Sequence, residues 1–254
     1  MPTLNLTKHH GLGNDFLVLL DRDGASAPGD LAALARHLCH RRRGIGADGL
    51  IVATPAEGAH ARMVLHNADG GRAEMSGNGI RCLGQALVAA GWAAAGEIRV
   101  LTDAGVRLLE VAGEDRPGEC SVRVGMGVAR VVRLGEGEAE VDTGNPHLVV
   151  LVDDPAGIDL EVLGARHRDR NVEVARVDSR LAATMRVHER GVGLTEACGT
   201  GSCAVATATL AWGLTESRVT VHNPGGDLQV EVADGDCFLT GPAVLVARIE
   251  VPWP

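Results

Sequence analysis

Glu74-Met75-Ser76-Gly77-Asn78-Gly79 and Glu196-Ala197-Cys198-Gly199-Thr200-Gly201 lie 122 residues apart in a chain of 254 and share one pattern. In each, an acidic residue leads to a Ser or Cys and two glycines frame a polar residue. A small, apolar stretch follows and ends near a tryptophan, at Gly91-Trp92 or Trp212-Gly213. A tight glycine-rich turn that opens a helix accounts for both. The same offset sets Asn67-Ala68-Asp69-Gly70 against Glu189-Arg190-Gly191-Val192. A repeat at about half the chain length makes the two halves copies of one unit, which decides the fold before any motif is read for chemistry.

Outward from these turns the chain reads mostly as strands. Residues 4–8, 16–21, 49–53, 61–66, 98–102, 106–111 and 121–124 are short, rich in branched apolar residues and bounded by Gly, Asp or Pro. The second half does likewise at 148–152, 184–188, 218–222, 228–232 and 237–242, with helical patterns at 30–41, 81–90 and 201–212. Mixed strands with few helices, doubled, predict an α+β fold of two pseudo-symmetric lobes. The expected boundary is the polar stretch 113–119, which holds Pro117-Gly118. The first lobe then takes residues 1–115 with 241–254 and carries Ser76; the second takes 116–240 and carries Cys198.

Composition narrows the function. A formal charge of -9 argues against a polyanion partner, because nucleic-acid binding needs clustered Lys and Arg. The basic run Arg41-Arg42-Arg43 reads as a solvated helix end. No apolar run approaches the roughly 18 residues that span a bilayer, and residues 1–6 lack the pattern of an export signal. A cytoplasmic protein with neither nucleic-acid nor membrane partners is expected. Six cysteines without a CxxC pair exclude a zinc ribbon or thioredoxin-like motif and read as free thiols. The only lysine, Lys8, sits in an early strand with no phosphate-binding loop nearby. That argues against pyridoxal phosphate, which needs a lysine for its Schiff base.

A glycine turn opening a helix presents unpaired backbone N–H groups and the positive end of the helix dipole, and so forms an anion site. Two such turns would hold two carboxylates, or one from both sides. Cys198, at the start of its helix, is expected to have a lowered thiol pKa and to offer thiolate as a base. Read instead as a nucleophile, it would need a histidine partner, for which His147 and His188 are candidates; read as structure, it is a small buried hydrophobe.

In joint order the motifs His10-Gly11-Leu12-Gly13-Asn14-Asp15-Phe16, Gly44-Ile45-Gly46-Ala47-Asp48-Gly49, the two glycine turns with their preceding loops, and Gly144-Asn145-Pro146-His147 closely resemble the diaminopimelate epimerase family, from about residue 8 to about residue 212. The resemblance implies two lobes, each a mixed, barrel-like sheet wrapped on a central helix, with the active site in the cleft between them. It implies two-base proton transfer at an amino acid α-carbon, interconverting LL- and meso-diaminopimelate for lysine and peptidoglycan synthesis, with no metal or organic cofactor. The catalytic positions are Cys198 and Ser76. Asn14, Asn67, Asn145, Asn171, Glu189 and Arg190 would hold the substrate's remote end, and the turns at Gly77, Asn78, Gly199 and Thr200 its reacting carboxylate. A homodimer would suit the family. Each residue has a plainer use: Asn14 and Asn145 follow glycine and suit turns, Asn67 suits a cap, and Glu189 and Arg190 suit an exposed ion pair.

The family pattern carries cysteine where this chain has Ser76. A hydroxyl is a far weaker acid than a thiol, so Ser76 does not supply a base near neutral pH but can donate a hydrogen bond. Cys82 lies about 240° around the helix from Ser76 and about 9 Å along it, too far to replace it. Three accounts stay open: a serine introduced to trap a ligand complex, a natural epimerase with asymmetric activity, or one-base chemistry at Cys198. The last would make the protein a lyase or a racemase of another amino acid. A catalytically dead amino-acid binding protein is the reading outside enzymes.

Overall fold

The computed structural model of the chain describes residues 3–24, 27, 29–73 and 75–252, so Glu74 of the first motif lies outside the described residues. The chain groups into two compact units, one up to Val124 and again from Pro242, the other Gly125–Gly241. In the first, β1 (Thr3–Gly11) and β2 (Asn14–Leu20) form an antiparallel hairpin; after α1 (Leu31–Leu38), β3 (Gly49–Ala56) lies parallel to β2 and β4 (Ala59–Asn67) returns antiparallel. After the short β5 (Arg72–Ala73) and α2 (Gly77–Ala89), β6 (Gly96–Thr102) joins β4 in parallel. β7 (Gly105–Arg116) and β8 (Glu119–Val128) follow antiparallel, with residues 113–119 at their hairpin end.

In the second unit β9 (Arg130–Leu134), β10 (Glu138–Asp142) and β11 (Pro146–Leu151) are antiparallel neighbours. A 3-10 turn (Pro155–Gly157) and α3 (Leu160–Arg166) lead to β12 (Asn171–Ser179), parallel to β11, and β13 (Ala182–Glu189) returns antiparallel. β14 (Gly193–Thr195) and α4 (Gly199–Ala211) precede β15 (Arg218–Asn223), parallel to β13, then β16 (Gly226–Ala233) and β17 (Asp236–Pro252). Residues 244–252 of β17 belong to the first unit and pair antiparallel with β1. Both units therefore have the same succession of neighbours: two antiparallel steps, one parallel, one antiparallel, one parallel, two antiparallel.

The repeat extends to register. Leu50 faces His66 as Val172 faces His188, and Leu65 faces Ala73 as Val187 faces Thr195, each pair at the offset seen in the sequence. Phe16 faces Gly49 and His147 faces Asn171, so Phe16 and His147 are structural equivalents. Because a slip of one residue turns every side chain to the other face, this agreement fixes which residues of each sheet point at the enclosed helix.

Each sheet wraps one helix. α2 is buried from Gly77 through Leu87, and α4 is buried at nearly every position from Gly199 to Thr209. A helix buried on all sides is a core helix, and to fit inside a wrapped sheet it must be thin. The sequence Gly-Thr-Gly-Ser-Cys-Ala-Val-Ala-Thr-Ala-Thr-Leu-Ala of α4 meets that need with small residues. In α2, a Cβ on Gly84 would come within 2.9 Å of Leu109 and 3.1 Å of Val111, so only glycine lets those strands approach.

The helix expected over 30–41 stops at Leu38. Asp30 caps its start through Ala33 N–H, but the Leu38 carbonyl accepts from both Ile45 N–H and Gly46 N–H as the chain turns back. The arginine run therefore forms a turn, with Arg41 paired to Asp15 and Asp48, rather than a free helix end.

In the first unit His9 is fully buried. Its Nδ1–H donates to Gln85 Oε1 at 2.8 Å and its Nε2 accepts from Thr7 Oγ1 at 2.8 Å. Burial lowers this imidazole from 6.5 to about 4, against the Gln85 hydrogen bond. Between those values the unfolded chain binds a proton that the folded one refuses, so stability rises with pH through the window and is lost as pH falls. We expect denaturant unfolding to show a loss of up to roughly 3 kcal/mol from this group between pH 6.5 and 4, and His9→Gln to remove that part of the slope. Equal slopes in the two proteins would show that His9 does not carry it.

Candidate active site

Ser76 and Cys198 are the N-caps of two 13-residue helices and have nearly the same backbone, φ -133 ψ 127 and φ -126 ψ 117. Each side chain accepts the backbone N–H three residues on: Ser76 Oγ from Gly79 at 3.1 Å, Cys198 Sγ from Gly201 at 3.3 Å. This satisfies one of the free donors of the first turn and fixes the cap atom on the helix axis. Thr200 Oγ1 lies 3.4 Å from the Cys198 sulfur.

Beneath these equivalent caps the two units differ. A Cβ on Gly79 would meet Ile51 at 3.2 Å and Phe16 at 3.4 Å, an apolar floor. A Cβ on Gly201 would meet Glu173 Oε1 at 2.7 Å, and Glu173 and His147 occupy the positions equivalent to Ile51 and Phe16. His147 Nδ1 is 2.7 Å from Glu173 Oε1, and both side chains are 0% exposed. Glu173 Oε2 is buried without a hydrogen-bond partner among the described residues.

That floor changes the chemistry of the cap. Burial, then the carboxylates of Glu189 and Glu173, hold the Cys198 thiol well above its ordinary range. The lowering expected from the helix terminus is thus outweighed in the ligand-free protein, because a carboxylate in a desolvated site disfavours a second negative charge. Burial also pushes the Glu189 carboxyl up, against hydrogen bonds from Thr195 and from the Cys198 thiol; the Thr195 bond is 2.6 Å.

Around this centre stand the ends of β11, β12 and β13. Asn145 Oδ1 accepts from His147 Nε2 at 3.1 Å and from Thr143 Oγ1 at 2.9 Å. Asn171 Oδ1 accepts from Arg190 N–H at 2.8 Å. Among the described residues neither NH2 group donates to another residue, and neither is a buried atom left without a partner. The Arg190 guanidinium donates to the Asp169 carbonyl at 3.3 Å. Glu189 and Arg190 are thus separated, one at the thiol and the other on the Asp169 loop.

In the first unit the polar groups are joined to one another. Asn14 Nδ2 donates to Asp48 at 2.7 Å, Asn14 Oδ1 accepts from Asn78 Nδ2 at 3.1 Å, and Asn78 Oδ1 accepts from the fully buried Arg81 at 2.8 Å. Lys8 Nζ is 2.9 Å from Asp15 and donates to Gly46 O at 2.7 Å. Asn67 is exposed and opens a turn in which Gly70 N–H donates to its carbonyl, as Val192 N–H does to that of Glu189. Burial pushes the Cys82 thiol up to about 12, which leaves it no part as a base.

His188, a sequence candidate as thiol partner, instead packs its ring on Gly164 of α3, where any Cβ would collide with it. Glu173 escaped the sequence reading because Asn171-Val172-Glu173-Val174-Ala175 is buried throughout and shows no alternation. Its one visible signal is an acidic residue inside an otherwise apolar run.

Two repeats of a wrapped helix, each opened by a glycine-turn cap, define the class of protein. The same fold occurs in the Bacillus anthracis phenazine biosynthesis protein of the PhzF family, with a TM-score of 0.77 over 100% of both chains at 16% identity. Within that class the sequence is specific: the diaminopimelate epimerase family model matches residues 6–132 and 140–246. The diaminopimelate epimerase of Moorella thermoacetica is 41% identical over 98% of this chain and 99% of its own. That of Desulfitobacterium hafniense is 40% identical over 96% and 97%. The chain belongs to the diaminopimelate epimerase family.

The buried pair under Cys198 gives a stability test. Removing one partner of a buried pair leaves the other uncompensated, whereas replacing both by packed apolar groups is often neutral. Glu173→Ile is expected to cost about 3 kcal/mol or more. His147→Phe with Glu173→Ile, which copies the first unit's floor, should recover most of it in denaturant melts. A double variant less stable than the single one would refute this account.

Proposed function

We propose that this chain is a diaminopimelate epimerase of the cytoplasm, working without an organic cofactor, in which Cys198 moves the α-proton and Ser76 is its weaker counterpart. The observation that carries the reading is the matching capping geometry of the two residues in a chain whose near full-length relatives bear that name. Epimerisation takes a proton from one face of the α-carbon and returns one to the other, so it needs two groups. Cys198 is one, and Ser76 holds the repeat-related position.

In the free protein the thiol keeps its proton and shares it with Glu189. A substrate α-ammonium brings positive charge beside the sulfur and offsets the two carboxylates; the thiol proton then passes to Glu189 as the sulfur takes the α-proton, breaking C–H and forming S–H. The carbanion's carboxylate takes its hydrogen bonds from backbone N–H groups at the helix starts. Asn145 and Asn171, with Arg190, offer donors to the remote carboxylate. Ser76 delivers or relays a proton with water, because its hydroxyl does not ionise near neutral pH. Ser76 also supports a second reading, a one-base lyase or racemase at Cys198, in which no second acid is required.

In heavy water, LL-diaminopimelate should gain deuterium at one α-carbon and yield the meso form, and Ser76→Cys should raise the rate about a hundredfold or more. The same change gives up a good cap for a poorer one, at a cost of about 1 kcal/mol in unfolding. No deuterium and no meso product from either protein would end this reading; exchange of another amino acid alone would select the second. Glu189→Gln removes a negative charge from beside the thiol. Site-resolved alkylation of Cys198 at pH 8 should therefore quicken several-fold while exchange slows. An unchanged alkylation rate would remove Glu189 from the scheme.

A further inference from the structure

Asn145 at the start of β11 has its amide orientation imposed from behind by a chain of buried residues. Its oxygen already takes two protein donors, Thr143 Oγ1 at 2.9 Å and the His147 ring at 3.1 Å. For His147 Nε2 to donate, it must carry a proton. The other ring nitrogen lies 2.7 Å from Glu173 Oε1 with both groups fully buried. Two lone-pair atoms at that distance need a proton between them. The ring and the carboxyl then hold one proton on Nε2 and one shared between Nδ1 and Oε1, and the pair as a whole is neutral. That neutrality is what permits a carboxyl whose second oxygen, Oε2, has no partner to lie wholly out of water.

We propose that Glu173 is a positioning residue for carboxylate recognition: through His147 it turns the Asn145 amide so that its NH2 faces outward to receive a carboxylate oxygen. The inference rests on the epimerase reading for the identity of the ligand but not for the relay itself. Without the relay the amide is free to present its oxygen, which repels a carboxylate. The first unit supplies the contrast. Phe16 and Ile51 fill the equivalent places, and Asn14 is oriented from its own side by Asp48 and Asn78. The polar floor is therefore not a requirement of the wrapped-helix fold, since the same chain builds that fold over an apolar one. Glu173 also needs the glycine at 201, because a Cβ there would lie 2.7 Å from its Oε1.

The test uses the full-length chain, meso-diaminopimelate in calorimetry, and nitrogen-15 NMR of His147 and of the Asn145 side chain. The wild type should show His147 Nε2 protonated and a far-downfield proton on Nδ1. His147→Phe with Glu173→Ile keeps the fold on the first unit's own floor. It should bind about tenfold more weakly, as for the loss of one hydrogen bond to a charged group. Asn145→Ala should weaken binding equally, and the triple variant no further, because all cut the same relay. Glu173→Gln, whose NH2 can donate to Nδ1 and keep the proton on Nε2, should bind within about twofold of wild type, and a purely structural pair predicts that the double variant also keeps full affinity. An unprotonated Nε2, full affinity in the double variant, or losses that multiply in the triple would each overturn the relay. If the wild type does not bind diaminopimelate, the epimerase reading is at fault. The Asn145 NH2 resonances then decide: they shift in the double variant if the relay exists and stay in place if it does not.

Discussion

The structure depends on the helix start. An enclosed helix leaves its first backbone N–H groups without partners in a place where water is scarce, and each such group costs free energy unless it is met. Both units solve the problem with one side chain at the cap, accepting from the residue three places on. The solution is economical because it needs only a short polar side chain and glycines thin enough to let the strands close around the first turn. It meets one of the donors that a helix start leaves without an intrahelical partner.

What the sequence made legible follows from this. The caps and glycines are dictated by backbone geometry, which is local, so the turns at Ser76 and Cys198 could be read directly. The strands flanking them alternate in burial and could be read as well. β9 is mostly exposed, β10 alternates over only five residues, and the first five residues of β12 are buried without alternation, so none of the three carries a long period of two. The helix over 30–41 was read too long because its end is set by Leu38 O receiving Ile45 N–H and Gly46 N–H, a tertiary turn that no helical period announces. Glu173 and its bond to His147 were invisible because the two are 26 residues apart and meet only when β11 and β12 pair in parallel.

The repeat also shows what divergence has done with one architecture. Strand order, direction and register agree between the units to the residue at several positions. The side chains at the helix starts do not. Where the first unit has Phe16 and Ile51, the second has an imidazole and a carboxyl. A buried polar pair is weak evidence for stability, so its presence in one copy alone points to a use other than folding.

Ser76 and Cys198 extend the same argument to the caps. As a cap, serine is the better residue, since its oxygen is a stronger acceptor than sulfur and serine is among the favoured N-cap types. As a proton-transfer group it is the poorer one. The first unit therefore holds the stable choice at each point: a good cap, an apolar floor, and asparagine, aspartate and arginine groups that satisfy one another. The second holds the costly choice: a thiol raised by two carboxylates, and beneath it a buried carboxyl with an oxygen that has no hydrogen-bond partner among the described residues. Costly groups gathered at one helix start of a repeat, when the other start shows that the fold does without them, point to that start as the one shaped for a ligand.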